Sequence, residues 1–433
     1  MAAGEPAGNM TVHVDLALLR QRESEQVEWK ENVADADDVV ATLCAFANDL
    51  QNLGGGYVVC GARETRDPAG FAATELTGLS AARLRELEPL ILARCRERVS
   101  PSIAPLVAEV PTATADRRVL VFIQPCTAHA HTFRRGKEAG RYLVRIGRST
   151  VEARNGVLRD LLVRKGETPP WDRRANAAAV ASDLDLLSLR DAVRRLNLER
   201  EDAPADRFLS DSHAFSAFVP PLLVREPLTG VLRPRNFALA LFGREPQHFI
   251  PGAVAYFSRY AGRDRATPVG QRMELAGTLV DQLRVLMPAL EAEAVTLYDK
   301  RDTQLPSVLK YPARALREAV VNAFAHRDYE RTDPLRVTSF ADRIEVSSPG
   351  PAPLGVDAAQ LASAAAPPVW RNQALAWFLA RLGFAEGEGQ GLQTIARTMA
   401  ANGNPPAQFE VSEARVLCAL PAHGRAGALV DPA

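Results

Sequence analysis

Long apolar runs are missing from this sequence: no stretch approaches the ~18 residues that cross a bilayer, which excludes a helical membrane protein. Aromatic residues make up only 6% of the 433. The five cysteines, at 44, 60, 95, 126 and 418, are odd in number and show no CxxC or short Cys/His spacing. That pattern excludes a disulfide scaffold and a structural zinc, and reads as reduced thiols. The opening MAAGEPAGNM lacks the basic and apolar regions of a signal peptide, so a cytoplasmic protein with no membrane partner is expected. Net charge is lacking too, because 52 basic residues cancel 52 acidic ones. Any polyanion must therefore be held locally. Lysine occurs only five times, against 47 arginines, a bias that genome composition explains as well as phosphate contacts do.

What is present is enough apolar material, 47% of the chain, for two or three domains of ~100–200 residues. Helical spacing over 11–22 gives way to alternation in Val27, Glu28, Trp29 and Lys30, which predicts a helix running into a strand. Helices are predicted over 35–50 and 80–98, and strands at 56–62, 117–125 and 141–147, so an α/β domain occupies 11–165. Residues 166–206 read as a connector with a helix from Leu184 to Leu196. A middle region, 207–300, carries strand-like stretches at Ala238–Phe242 and Ala253–Tyr256 and a helical pattern over 268–296. A last α/β unit, 301–422, has helices around 314–326 and after Gly391, and a strand over 335–346. The fold class is α/β (α+β).

The strand at 27–30 sets Val27 and Trp29 on one face and Glu28 and Lys30 on the other, with Glu23 on the approach. Two carboxylates and a lysine at one spot suit a hard divalent cation, Mg²⁺ or Mn²⁺, beside an attacked phosphate; a solvated edge strand has the same pattern. Arg134, Arg135, Lys137, Arg141, Arg145 and Arg148 form a cationic stretch able to follow a phosphate backbone, or else a solvated hairpin. His129 and His131 alternate as metal ligands would, or as loop polarity. Asn48 and Gly54–Gly56 read as a helix stop and a backbone turn.

The blocks ESEQVEWK, AFANDLQNLGGGYVVCGARE and RYLVRIGRST, in this order, resemble the Schlafen/AlbA-like domain over about residues 15–165. In nuclease members of that group two glutamates five apart and a later acidic residue are catalytic. The resemblance implies Glu23 and Glu28 as catalytic and metal-binding, with Lys30 beside them and Glu64 as the third acid in competition with Asp67. Other members bind nucleic acid without cleaving it.

In the last third, Glu318 and Asn322 lie four apart on one helix face, a carboxylate to polarise water and an amide to ligand Mg²⁺. Gly387, Gly389 and Gly391 alternate before a helix, where backbone N–H groups approach phosphate. Together with HRDY, with Gly350 in RIEVSSPGPAPLG and with Arg371-Asn372, these resemble the ATPase-like domain of proteins labelled RecG-helicase-like, a divergent GHKL relative with an α/β sandwich fold. The resemblance implies ATP as ligand, Glu318 as base, Asn322 as metal ligand, and Gly350, Gly387, Gly389 and Gly391 around the nucleotide. The Asp that normally reads adenine is replaced by Ser347-Ser348-Pro349-Gly350, and a GxxxxGK[ST] loop is absent, so a helicase motor is excluded.

Three functions follow from these readings. The first is a metal-dependent nuclease governed by an ATP-binding domain, at home in phage defence. The second is an ATP-responsive DNA-binding transcriptional regulator without catalysis, whose relatives often carry a winged helix for which no room is expected after 422. The third is a homo-oligomer paired through the ATPase-like half, with neither activity.

Overall fold

The computed structural model describes residues 14–16, 19, 25–66, 72–198, 205–216, 219–297, 308–353, 356–367, 369–385 and 390–424. It divides into two compact units, residues 1–169 and 170–433.

In the first unit β1 (Val27–Lys30) leads to α1 (Ala36–Asn48), then to β2 (Gly55–Cys60) and the hairpin β3 (Ala62–Arg66) and β4 (Ala72–Leu76). Next come β5 (Leu79–Ser80), α2 (Ala81–Arg98), β6 (Val99–Ser100), β7 (Leu106–Pro111) and β8 (Arg117–Pro125). The unit ends with β9 (Thr132–Phe133), β10 (Arg141–Ile146), β11 (Ser149–Glu152) and α3 (Asn155–Arg164). One sheet runs β1-β2-β8-β5 with β7 also on β8, and a second runs β11-β10-β9-β6. The β1–β2 pair is parallel, as the intervening helix requires.

Helix α1 holds this unit together. Asp35 caps it by accepting from Asp37 N at 2.8 Å, a standard N-cap contact. Nearly every side chain along it is buried, Leu43, Cys44 and Ala47 completely, which marks a core helix. Its last residue, Asn48, does more than stop the helix: Nδ2 donates to the carbonyls of His131 (2.9 Å) and Leu143 (2.7 Å), and Oδ1 accepts from His131 N at 2.7 Å. Gly56 is required because a Cβ there would sit 2.4 Å from the Phe46 ring.

The second unit carries α4 (Leu186–Arg195), β12 (Leu223–Arg225), β13 (Leu232–Pro234), α5 (Asn236–Phe242), α6 (Pro246–Phe249), β14 (Ala255–Tyr260), β15 (Val269–Leu275) and α7 (Leu279–Glu293). It continues with β16 (Thr296–Leu297), β17 (Val308–Leu309), α8 (Ala313–His326), β18 (Leu335–Ser339), β19 (Arg343–Pro349), α9 (Ala358–Ala362), α10 (Gln373–Arg381), α11 (Gly391–Asn402), β20 (Gln408–Val411) and β21 (Arg415–Pro421). Its main sheet runs β15-β14-β18-β19-β21-β20, and one core cluster extends from Ala179 to Ala422. The stretch expected as a middle region (207–300) thus shares sheet and core with 301–422, and the expected connector (166–206) contributes to that core from Ala179 on.

Three local expectations are corrected. Ala238–Phe242 lies in helix α5, whose residues are all buried; a short, wholly apolar run carries no periodicity to separate helix from strand. The helix expected over 268–296 begins only after Gly277, where Thr278 caps α7, because 269–275 pairs with β14 instead. The strand over 335–346 is a hairpin, β18–β19. The helix expected over 11–22 lies largely outside the described residues.

Buried charge joins the segments of the second unit. Asp172 is fully buried and its Oδ2 accepts from Ala374 N at 2.7 Å, capping α10 from 202 residues away in sequence. Asn372, at the cap position itself, instead donates to the C-terminal carbonyls of α8, Ala325 (2.9 Å) and Arg327 (2.8 Å). Burial raises the Asp172 carboxyl above its ordinary range. A raised folded-state value gives stability that is present in acid and lost as pH rises. Asp172→Ala is expected to cost about 1–3 kcal/mol through the uncapped helix. Asp172→Asn retains an acceptor and sheds the charge, so its stability relative to wild type should improve from acid to neutral pH. Urea unfolding checks this; an Asn variant as unstable as the Ala variant at every pH would refute it.

Candidate functional site

On β1 the alternation places Val27 and Trp29 against a core cluster and Glu28 and Lys30 in a cleft shared with Asp38, Thr42, Arg135, Arg141, Arg145, Arg148, Thr150 and Glu152. Five cations and three carboxylates line it. Helix α1 packs against both β2 and β10, and in the hairpin β10–β11 Arg145 faces Thr150.

The six residues of the cationic stretch separate into three kinds. Arg145 is 5% exposed, so it is not a surface phosphate contact. Its Nη2 lies 3.1 Å from Glu28 Oε2, its Nη1 donates to Thr150 Oγ1 at 3.1 Å, and its guanidinium stands 5.4 Å from the Phe46 ring centre. Arg135, Arg141 and Arg148 line the cleft with exposed side chains paired to Asp35 and Asp38, to Glu138 and to Glu64 respectively. Arg134 and Lys137 are exposed but do not line it.

The remaining carboxylates are placed as follows. Glu28 Oε1 lies 2.9 Å from Lys30 Nζ, so both of its oxygens face cations. Glu64, on β3, pairs with Arg148. Glu23 and Asp67 lie outside the described residues. Among the described residues no three His, Cys, Asp or Glu side chains gather as a metal site. The donor chemistry opposes one at Glu28, since a divalent ion there would stand against a buried guanidinium and an ammonium; unit charges about 4 Å apart interact by about 4 kcal/mol at an effective dielectric of about 20. Among the described residues, the cations around Glu28 do not fit Mg²⁺ or Mn²⁺ at that carboxylate.

His131 is likewise structural rather than a ligand. It is buried, with Nδ1 2.6 Å from Pro101 O and Nε2 2.7 Å from Thr127 Oγ1, and burial holds its imidazole below the usual range; His129 is exposed.

In the second unit, helical spacing does bring the expected pair together. Glu318 is 3% exposed, and burial raises its carboxyl. Gly391, first residue of α11, packs so closely that a Cβ there would lie 2.8 Å from Asn322 Nδ2 and 2.9 Å from Glu318 Oε2. Asn322, Gly350 and Gly391 line one mainly apolar cavity with His326, Ser348 and Trp370. Gly350 has φ +98° and leaves no room for a Cβ against Asp328. Ser348, in the segment that carries no Asp, donates its hydroxyl proton to Ala323 O at 3.0 Å. His326 stacks on Trp370 with centroids 5.3 Å apart, and burial lowers its imidazole to about 4, so it is neutral. Sequence reading missed both rings, although HRDY and the Trp before Arg371-Asn372 marked their positions. Gly387 and Gly389 lie outside the described residues. An amide beside a buried carboxylate, against a glycine at a helix start, fits a Mg²⁺-bound nucleoside triphosphate: Asn322 would hold the ion and the α11 N-terminus the phosphates.

Comparison with known proteins agrees with this division. Residues 23–154 match the family model described as Schlafen, AlbA_2, and residues 333–420 match the one described as putative ATP-dependent DNA helicase recG C-terminal. No curated protein matches the chain. Among solved structures, the DIP2311 protein from Corynebacterium diphtheriae is 20% identical, with TM-score 0.42, over 92% of this chain and 76% of that one. The N-terminal domain of a putative ATP-dependent DNA helicase RecG-related protein from Nitrosomonas europaea is 23% identical, with TM-score 0.22, over 26% of this chain and 71% of that one. Among the described residues no helix is long and apolar enough to cross a membrane. The chain joins an N-terminal Schlafen/AlbA-like domain to a C-terminal ATPase-like domain of the RecG C-terminal kind.

Proposed function

We propose that this protein binds nucleic acid in the β1/β10–β11 cleft and a nucleoside triphosphate at Glu318, Asn322 and Gly391, acting as an ATP-responsive nucleic-acid-binding regulator. Both matched families point to a nucleic-acid-related role. The observation that carries the reading is the set of exposed, ion-paired arginines in the cleft, each pair worth only about 0–1 kcal/mol, so a phosphate backbone exchanges with their carboxylates at little cost. A metal-dependent nuclease in phage defence, with Glu23, Glu28 and Glu64 as its acids, draws support from the Glu28–Lys30 adjacency, but Glu28 is committed to cations on both oxygens.

In the second unit Asn322 and the α11 N-terminus orient the nucleotide, and the apolar cavity excludes water around it. The metal ion, when bound, neutralises phosphate charge. Glu318 takes a proton from the attacking water only when ionised. Because burial raises its carboxyl, the ionised fraction, and turnover with it, grows as pH rises from acid toward neutrality.

Lys30, Arg135, Arg141 and Arg148 give four phosphate contacts, so affinity measured by fluorescence anisotropy should fall with log salt at a slope of about −3 for single strands and about −4 for duplex. Arg141→Ala and Arg148→Ala should each weaken binding to all sequences alike and flatten that slope by about 1, while Arg134→Ala and Lys137→Ala leave both unchanged. Equal losses at all four would relocate the interface.

ATP with Mg²⁺ should raise the melting temperature, by linkage worth about 2.7 kcal/mol at a hundredfold excess over Kd, and Asn322→Ala and Gly391→Ala should abolish the rise. Glu318→Gln should retain ATP binding, lose phosphate release and raise stability at neutral pH, since it removes a buried charge. Phosphate release surviving in Glu318→Gln would disprove its role as base.

A further inference from the structure

The position of Glu28 carries a consequence for how the cleft holds its ligand. Its two oxygens face Lys30 Nζ at 2.9 Å and Arg145 Nη2 at 3.1 Å, and its side chain is only 20% exposed. Arg145 has no freedom to turn away: it is held by Thr150 Oγ1, which in turn meets Thr42 Oγ1 of α1 at 3.2 Å, and it stands against the Phe46 ring. A metal ion at Glu28 would need these cations to leave, and one of them is buried. Lys30, by contrast, is 31% exposed, able to meet a ligand while its ammonium stays tied to Glu28.

We propose that Glu28 is a counter-charge rather than a metal ligand: it neutralises buried Arg145 and the Lys30 ammonium, so that a phosphodiester strand is bound through Lys30, Arg135, Arg141 and Arg148 without a divalent cation. The inference rests on the nucleic-acid-binding reading above and names the chemistry that site would use. It assigns opposite signs to one substitution. A metal ligand lost at Glu28 weakens binding; a carboxylate lost from among cations strengthens attraction for a polyanion.

The test uses the full chain and a labelled single-stranded oligonucleotide, with anisotropy read in Mg²⁺, in Mn²⁺ and in EDTA, and Mn²⁺ binding followed separately by electron paramagnetic resonance. Wild-type affinity at matched ionic strength is expected to be no higher in Mg²⁺ or Mn²⁺ than in EDTA, with no stoichiometric Mn²⁺ lost on mutation of Glu28. Glu28→Gln is expected to bind about threefold tighter or more, a gain that a purely structural role would not produce. Because Glu28→Gln leaves Arg145 buried without its counter-charge, the doubly neutral Glu28→Gln/Arg145→Gln variant serves as the control for folding, and its binding should stay within about threefold of wild type. Affinity that falls tenfold or more in EDTA and returns with Mn²⁺, or Mn²⁺ bound by wild type and lost in Glu28→Gln, overturns the inference while leaving nucleic-acid binding intact. Absence of binding under every condition removes the binding reading itself, and this inference with it.

Discussion

A charge taken out of water must be met by an opposite charge or by several hydrogen bonds, and both units of this protein are organised around that requirement. In the first, Arg145 on β10 is buried against Phe46 of α1 and answered by Glu28, so a strand and a hairpin distant in sequence line one cleft. In the second, Arg327 is 1% exposed and is met by main-chain oxygens, donating to Val254 O at 3.1 Å and to Asp333 O. That arginine follows directly on α8, the helix that carries Glu318 and Asn322, and so ties its end to β14 and to the turn before β18.

The same requirement separates cations that look alike in sequence. Arg134 to Arg148 read as one basic stretch, yet local neutralisation and burial leave three arginines in the cleft with exchangeable partners, lock a fourth, and turn Arg134 and Lys137 outside it. Exposed pairs trade carboxylate for phosphate cheaply; a buried pair does not, because losing one partner strands the other. On the proposed reading, a polyanion would be held by a small local excess of cations in the cleft whose ion pairs are lightly held.

The two candidate sites differed in how far they were readable. Glu318 and Asn322 are four apart on a helix, and helical geometry alone sets them side by side; the glycine alternation before the next helix marked Gly391, whose missing Cβ the packing requires. The first site was less legible. The alternation in 27–30 did place Glu28 and Lys30 on the open face, but the pairing of Glu28 with Arg145, 117 positions later, depends on α1 packing between the two sheet regions, and no local pattern encodes it. Short apolar runs were ambiguous for a related reason: a segment buried on every side, such as α5, has no polar face to report its period.

What the sequence determined by itself was the α/β character, the order of two family-like halves, the strand alternation at β1 and the helical pair on α8, because each depends on residues a few positions apart. Tertiary structure alone decided that 170–297 shares a core with the final third, that Asp172 caps a helix 202 residues away, and that Glu28 meets a buried arginine 117 positions later. In each of these the partner is brought in by packing, and the charge it answers becomes costly only once water has been excluded.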